Sequence, residues 1–153
     1  MIESTLFDPS ASTREPSEIH RLLAGDAVSQ WMAIRVIKAE PGDAEVQMEL
    51  RPDMLNGFGT AHGGIIFAFA DSAFALACNH PTEDDGTITM AQGADVNFVR
   101  PAFAGQTLTA RAKAVASGRS GVYDVEVLAQ GADDPEPVQI TFFRGRSRTI
   151  PRR

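Results

Sequence analysis

His62, Gly63 and Gly64 stand at the head of an apolar run that carries one acid, Asp71. A helix starting there leaves its first backbone N–H groups without intrahelical partners and gathers the positive end of the helix dipole. Such an end can hold a developing oxyanion, and glycine lets a substrate carbonyl come close to the backbone. Asn56 lies in the turn-rich loop Pro52-Asp53-Met54-Leu55-Asn56-Gly57, from which its amide can donate a second hydrogen bond to the same oxygen. The helical neighbours of Asp71, three and four residues away, are Phe67, Ala68, Phe74 and Ala75, so its carboxylate leaves an apolar wall. That setting raises an acid's pKa unless donors hold the charged form. An anion-ready helix end and a buried acid together point to hydrolysis of an activated acyl group.

The spacing limits how these groups can cooperate. Eight residues separate Gly63 from Asp71, which at about 1.5 Å per helical residue is roughly 12 Å. Reacting groups must lie within about 3 to 3.5 Å of one another. One helix therefore cannot bring both to a single carbonyl carbon, and a second, antiparallel copy must supply the other half. The expectation is a symmetric homodimer with two sites, each borrowing Asp71 from its neighbour.

The elements that must position these residues follow from periodicity. Ile65 to Cys78 contains no Pro or Gly and reads as a helix, apolar nearly all round and so wrapped by other structure. It is too short and interrupted for a membrane span. Residues 1 to 16 read as a flexible N-terminal arm and 17 to 153 as a single domain. Ser17 can cap a short helix running to Leu23, and Asp26 a further turn through Trp31. A period of two begins after Ala33, where Ile34 and Val36, then Val46, Met48 and Leu50, alternate across the turn Pro41-Gly42-Asp43. Four more strand-like runs follow the helix, at 86–100, 106–117, 121–130 and 138–150. The predicted architecture is α+β, an antiparallel sheet curled around one long central helix. A sheet covers such a helix on one side only, which leaves strand edges or the open helix face for dimerisation.

The 153-residue chain is 43% hydrophobic and 22% charged, enough for one domain with a sizeable core. Its net charge of −6 argues against a general nucleic-acid binder while leaving local basic spots for anionic ligands. One cysteine, Cys78, allows no internal disulfide and no cysteine-rich zinc site. His20, His62 and His80 lack metal-ligand spacing, and no metal is expected. With no signal-peptide pattern, the protein is read as cytoplasmic.

Seven blocks in order carry a resemblance: Met54-Leu55-Asn56-Gly57, His62-Gly63-Gly64, Ala70-Asp71 with Ala73-Phe74-Ala75, Ala77-Cys78-Asn79, Arg100-Pro101 with Phe103-Ala104-Gly105, Gly121-Val122-Tyr123-Asp124, and Phe143-Arg144-Gly145 with Ser147. This pattern resembles the hotdog-fold acyl-CoA thioesterases, in the branch associated with phenylacetic acid degradation (PaaI). The resemblance implies a hotdog fold, shared active sites in a homodimer and pairing of dimers into a homotetramer. It makes Asp71 the general base or nucleophile, Gly63 the backbone donor to the thioester oxygen, and Asn56 and His62 its polar supports. Gly64 belongs to the same helix start, and Ser72 keeps the Ser or Thr that family members carry after the acid. The stretch Gly57-Phe58-Gly59-Thr60-Ala61 departs from the family pattern and faces the site; Phe58 is a candidate wall of an aromatic acyl pocket, while Phe67 and Phe74 read either as further wall or as ordinary core. Residues 1 to 16 and the turn Asp133-Asp134-Pro135-Glu136-Pro137 lie outside the resemblance.

By the same resemblance the substrate is an aryl- or arylacetyl-CoA thioester, phenylacetyl-CoA or a ring-hydroxylated relative, with coenzyme A as part of the substrate and no cofactor. Arg100, Arg119 and Ser120 are candidates for its nucleotide. Arg144, Arg146 and Arg148 share one strand face, which reads either as a solvated surface or as a further phosphate contact. Cys78, some four turns beyond His62, reads as a core residue rather than a nucleophile. Two other readings stand beside hydrolysis. A non-catalytic acyl-CoA sensor would not need an acid at Asp71, and a hotdog hydratase would place its histidine and acid differently.

Overall fold

The computed structural model describes residues 19–153. The expected arm at residues 1 to 16 and the Ser17 cap lie outside these residues. A 3-10 turn at Arg21–Gly25 leads into a short helix α1 (Ala27–Trp31), capped by the Asp26 side chain, which accepts from Ser29 N–H. Strands β1 (Arg35–Glu40) and β2 (Asp43–Glu49) form the predicted hairpin. Gly42 in its turn has φ +78°, a left-handed conformation that favours glycine. The long helix α2 (Gly63–Cys78) follows, then β3 (Thr87–Phe98), β4 (Thr107–Ala116), β5 (Ser120–Gln130) and β6 (Val138–Pro151). Pairing is antiparallel throughout, in the order β1-β2-β4-β5-β6-β3.

The sheet curls around α2 because alternate residues on its strands are apolar and turn to one side. Ala44, Val46 and Met48 of β2, Leu108, Ala110 and Ala112 of β4, and Tyr123, Val125 and Val127 of β5 are buried there against Ile66, Phe69, Ala70, Ala73, Phe74 and Ala77 of α2. Phe74 sits at the centre, with Tyr123 at 5.4 Å and Phe143 at 5.9 Å between ring centroids. The backbone of Gly145 passes so close beneath this ring that an added Cβ would lie 2.8 Å from it.

Asn79 fixes the far end of α2. Its Nδ2 donates to the carbonyls of Ala75 and Thr89, and its Oδ1 accepts from Thr89 N–H. The side-chain amide thus pairs with β3 as a strand's backbone would, locking the helix C-terminus to that strand. His20 is fully buried beside it, its Nε2 3.1 Å from Asn79 O.

The opposite face of the sheet carries charge. Arg111 pairs with Glu45, Lys113 and Lys38 with Asp43, Arg144 with Asp124, and Arg146 with Asp95. The two outermost strands, β1 and β3, each have one unpaired edge. Among the described residues, no helix is long and apolar enough to cross a membrane.

Candidate active site

The loop before α2 is built around one side chain. Asn56 Oδ1 accepts from the Phe58 and Thr60 N–H groups, and its Nδ2 donates to Thr60 Oγ1. With Asn56 N–H donating to Thr60 O, the five-residue turn 56–60 closes on itself. It holds Phe58 almost wholly in solvent, at 93% exposure. The loop is then tied down by Ala61 N–H donating to Ala102 O and His62 N–H to Met54 O.

His62 is the N-cap of α2. Its Nδ1 accepts from Gly64 N–H at 3.0 Å, a role that requires the ring to carry any neutral-state proton on Nε2. The Gly64 amide is thereby occupied. Gly63 N–H makes no hydrogen bond among the described residues, so the helix start presents one open donor at its positive end. Gly63 also packs under the Phe98 ring, where a Cβ would come within 3.3 Å.

A cleft of about 380 Å³ opens at this point, lined by Asn56, Thr60, Ala61, Gly63, Ile66, Phe98, Val99, Arg100, Pro101 and Ala102. Arg100 lies on its wall with Nη1 donating to Gln139 O. A larger depression of about 480 Å³ lies across the sheet, bordered by Asp124, Arg144, Asp95 and Phe142. There Asp124 pairs with Arg144 and Asp95 with the neighbouring Arg146, whereas the smaller cleft holds the spare amide.

Asp71 lies partway along the outer side of α2 and is absent from the cleft wall. It is half-buried and makes no hydrogen bond or ion pair among the described residues. Burial raises its pKa above the ordinary value, and the nearby Asp26 carboxylate raises it further. A carboxylate with no donors in an apolar wall is a strong proton acceptor. Ser72, the next residue, faces α1, its Oγ 3.4 Å from that of Ser29.

The remaining candidates fall elsewhere. Phe74 is in the core, and Phe67, 37% exposed, packs edge-on against Phe143 of β6 with ring centroids 5.4 Å apart. Arg119 and Ser120 lie at the other end of the sheet: Ser120 pairs with Arg148 and Phe98 with Thr141. Those two positions on β6 are seven residues apart, roughly 24 Å along a strand. Arg144 and Arg146 are committed to Asp124 and Asp95, while Arg148 has no acidic partner among the described residues. Cys78 is inert, its thiol pKa pushed up to about 12 by burial and by the charge of Asp71. No three His, Cys, Asp or Glu side chains gather as a metal site among the described residues.

Sequence reading did not single out Phe98 or Ser29. Nothing local linked Ser29 to Ser72, since that contact spans 43 residues.

Comparison with known proteins gives a consistent picture. The sequence pattern described as Thioesterase superfamily matches residues 58–135. The Escherichia coli (strain K12) protein named Acyl-coenzyme A thioesterase PaaI is 38% identical over 132 residues, covering 86% of this chain and 88% of that protein. The solved structure of the E. coli PaaI protein from the phenylacetic acid degradation operon superposes with a TM-score of 0.75 at 37% identity, over 85% of this chain and 88% of that one. A structure of the phenylacetic acid degradation protein PaaI from Thermus thermophilus, carrying an Asn-to-Asp substitution, gives 0.68 at 36% identity, covering 84% of this chain and 100% of that one.

Proposed function

The chain belongs to the thioesterase superfamily and is a thioesterase of the hotdog fold, and from that premise we propose that it hydrolyses aryl- or arylacetyl-CoA thioesters, of the phenylacetyl-CoA or hydroxyphenylacetyl-CoA type, to the free acid and coenzyme A. The observation that carries the reading is the open Gly63 N–H at the α2 N-terminus, above a cleft that Asp71 of the same chain does not line.

In this reading Gly63 N–H polarises the thioester carbonyl, assisted by the Asn56 Nδ2 hydrogen that Thr60 leaves unused. His62 holds the helix start by capping it. Asp71 comes from a second protomer and either takes a proton from water or attacks the carbonyl to give an anhydride. The thiolate of coenzyme A leaves in either case. The continuous helix from Gly63 to Cys78 keeps the two groups of one chain apart, and the free edge of β3, next to the open side of α2, is a surface through which two copies can meet. The same arrangement explains how Arg119 and Ser120 could meet a nucleotide whose acyl end lies at another copy's Gly63, with Arg100 contributing from the cleft. Phe58 and Phe98 offer aromatic surface to the acyl group. The reaction needs no metal or redox cofactor, and further pairing of dimers gives a homotetramer in a cytoplasmic enzyme.

The test is release of free thiol from a panel of acyl-CoA substrates by the wild-type protein and Asp71→Ala. Turnover of arylacetyl-CoA, lost by about 10²-fold or more in the variant, is expected for a lost general base. Turnover confined to aliphatic acyl-CoA would overturn the substrate class, and tight acyl-CoA binding without turnover would make the protein a sensor. Mixing Asp71→Ala with Asn56→Ala chains tests site sharing. Each mixed dimer then has one intact site, so activity should reappear on mixing; continued inactivity with verified subunit exchange would contradict sharing.

A further inference from the structure

Three asparagines stand in the chain, and only Asn56 is followed by glycine. That pair has chemistry of its own. A backbone nitrogen can attack the side-chain amide of the asparagine before it, and glycine, lacking Cβ, offers the least hindered nitrogen and the freest backbone for closing a succinimide ring. The structure prepares both partners. Gly57 is exposed, its N–H makes no hydrogen bond among the described residues, and nothing lies within 4 Å of where a Cβ would stand. The nitrogen is open to a base, and the backbone has room to turn. On the other side, Asn56 Oδ1 accepts from Phe58 N–H at 2.9 Å and from Thr60 N–H at 3.2 Å, with Thr60 Oγ1 3.3 Å away. Fixed backbone donors on one amide oxygen suit the tetrahedral intermediate that attack at Cγ would form. Thr60 Oγ1 also lies 3.1 Å from Nδ2, the nitrogen that must leave. The other asparagines lack this arrangement. Asn79 is buried, its amide spent on Ala75 and Thr89, and Asn97 lies within β3 before Phe98.

We propose that Asn56 is a self-modification site, at which the Gly57 nitrogen converts the side-chain amide to a carboxylate and ends its contribution to catalysis. The effect on activity rests on the reading of Asn56 as a donor to the thioester oxygen; the modification itself does not. Water or hydroxide takes the Gly57 amide proton, the nitrogen bonds to Asn56 Cγ, and charge gathers on Oδ1 under the Phe58 and Thr60 amides. The Cγ–Nδ2 bond then breaks, and the nitrogen departs as ammonia, taking its added proton from the Thr60 hydroxyl or from water. Water opens the succinimide at either carbonyl and leaves an aspartyl or an isoaspartyl residue. Water is consumed, ammonia is released, and nothing is oxidised or reduced. Asn56 lines the cleft together with Gly63, so the change removes a donor and puts a negative charge where the carbonyl oxygen is to gather one. The isoaspartyl form also adds a methylene to the main chain inside the turn 56–60, which the bond from Asn56 N–H to Thr60 O now closes.

The whole protein is aged at neutral and mildly alkaline pH, with samples taken for peptide mass mapping, isoaspartate detection and thiol release from phenylacetyl-CoA. The peptide holding Asn56 should gain the mass difference between NH2 and OH, faster at the higher pH, while those holding Asn79 and Asn97 stay intact. Activity should fall in step with the modified fraction. Gly57→Ala is the control: Gly57 has no left-handed φ and an added Cβ meets open space, so initial activity is kept. The same Cβ crowds the attacking nitrogen, so both the conversion and the loss of activity should slow. Asn56→Asp marks the end point and should lower kcat by about 10²-fold, the cost of one oxyanion donor. Asn56 that stays intact in the native protein while it converts in urea would show that the fold protects the pair and would overturn the proposal, as would equal conversion rates in wild type and Gly57→Ala. If Asn56 converts while activity holds, and Asn56→Asp is as active as wild type, the modification stands and the donor reading of Asn56 fails.

Discussion

At the scale of single residues, α2 carries an unsatisfied donor at its start and, eight residues on, an acceptor with no donor among the described residues. Among the described residues, Gly63 N–H is open while its neighbour Gly64 is engaged by His62, and Asp71 has no donor while Ser72 beside it contacts Ser29. Leaving such groups unpaired destabilises a fold, so they should be replaceable with a gain in stability. Burial raises the folded-state pKa of Asp71 above its unfolded value, so its contribution to stability is fully present below the unfolded pKa and is lost as pH rises through the folded one. At neutral pH its charge is a liability. Asp71→Asn should therefore raise Tm at pH 7 while abolishing turnover, and the Tm gain should vanish at acid pH, where the wild-type acid is neutral. Differential scanning fluorimetry across pH checks both. Both groups were legible from residue type and spacing, because a glycine helix start and a lone acid on an apolar helix violate ordinary patterning. The side chains packed beside them were not, since Phe98 meets Gly63 and Ser29 meets Ser72 only through tertiary packing.

At the scale of elements, α2 and the sheet are joined at points where side chains replace regular structure. Gly145 on β6 is one, because the Phe74 ring occupies the space a Cβ would need. Gly145→Val should destabilise the protein by about 1–3 kcal/mol through overpacking, read from urea denaturation at unchanged m-value. The strands were readable because their apolar residues alternate, and the long helix because its run lacks breakers. The order of strands was not, since pairing β3 with β6 requires closure across the whole of β4 and β5, which no local pattern encodes. Asn79 was likewise visible only as part of a motif. Its role as a pairing surrogate for Thr89 depends on where β3 runs, and the sequence around Asn79 does not state that.

At the scale of the whole molecule, the buried His20 links the segment before α1 to the far end of α2 and gives the fold an acid-sensitive point. Burial lowers its pKa below the ordinary histidine value. The unfolded chain then binds the proton more readily than the fold does, so stability is full above the unfolded pKa of about 6.5 and is lost as pH falls through that value toward the folded one. Denaturation midpoints should drop between pH 7 and pH 5, and His20→Gln should flatten that part of the profile; an equally steep fall in the variant would place the sensitivity elsewhere. The single cysteine carries a practical consequence. With its sulfur partly buried and held protonated, the folded protein should stay silent toward chromogenic disulfide reagents at neutral pH. Colour developed in their presence then counts product molecules alone, and a slow rise without substrate becomes a direct gauge of how often the native packing opens.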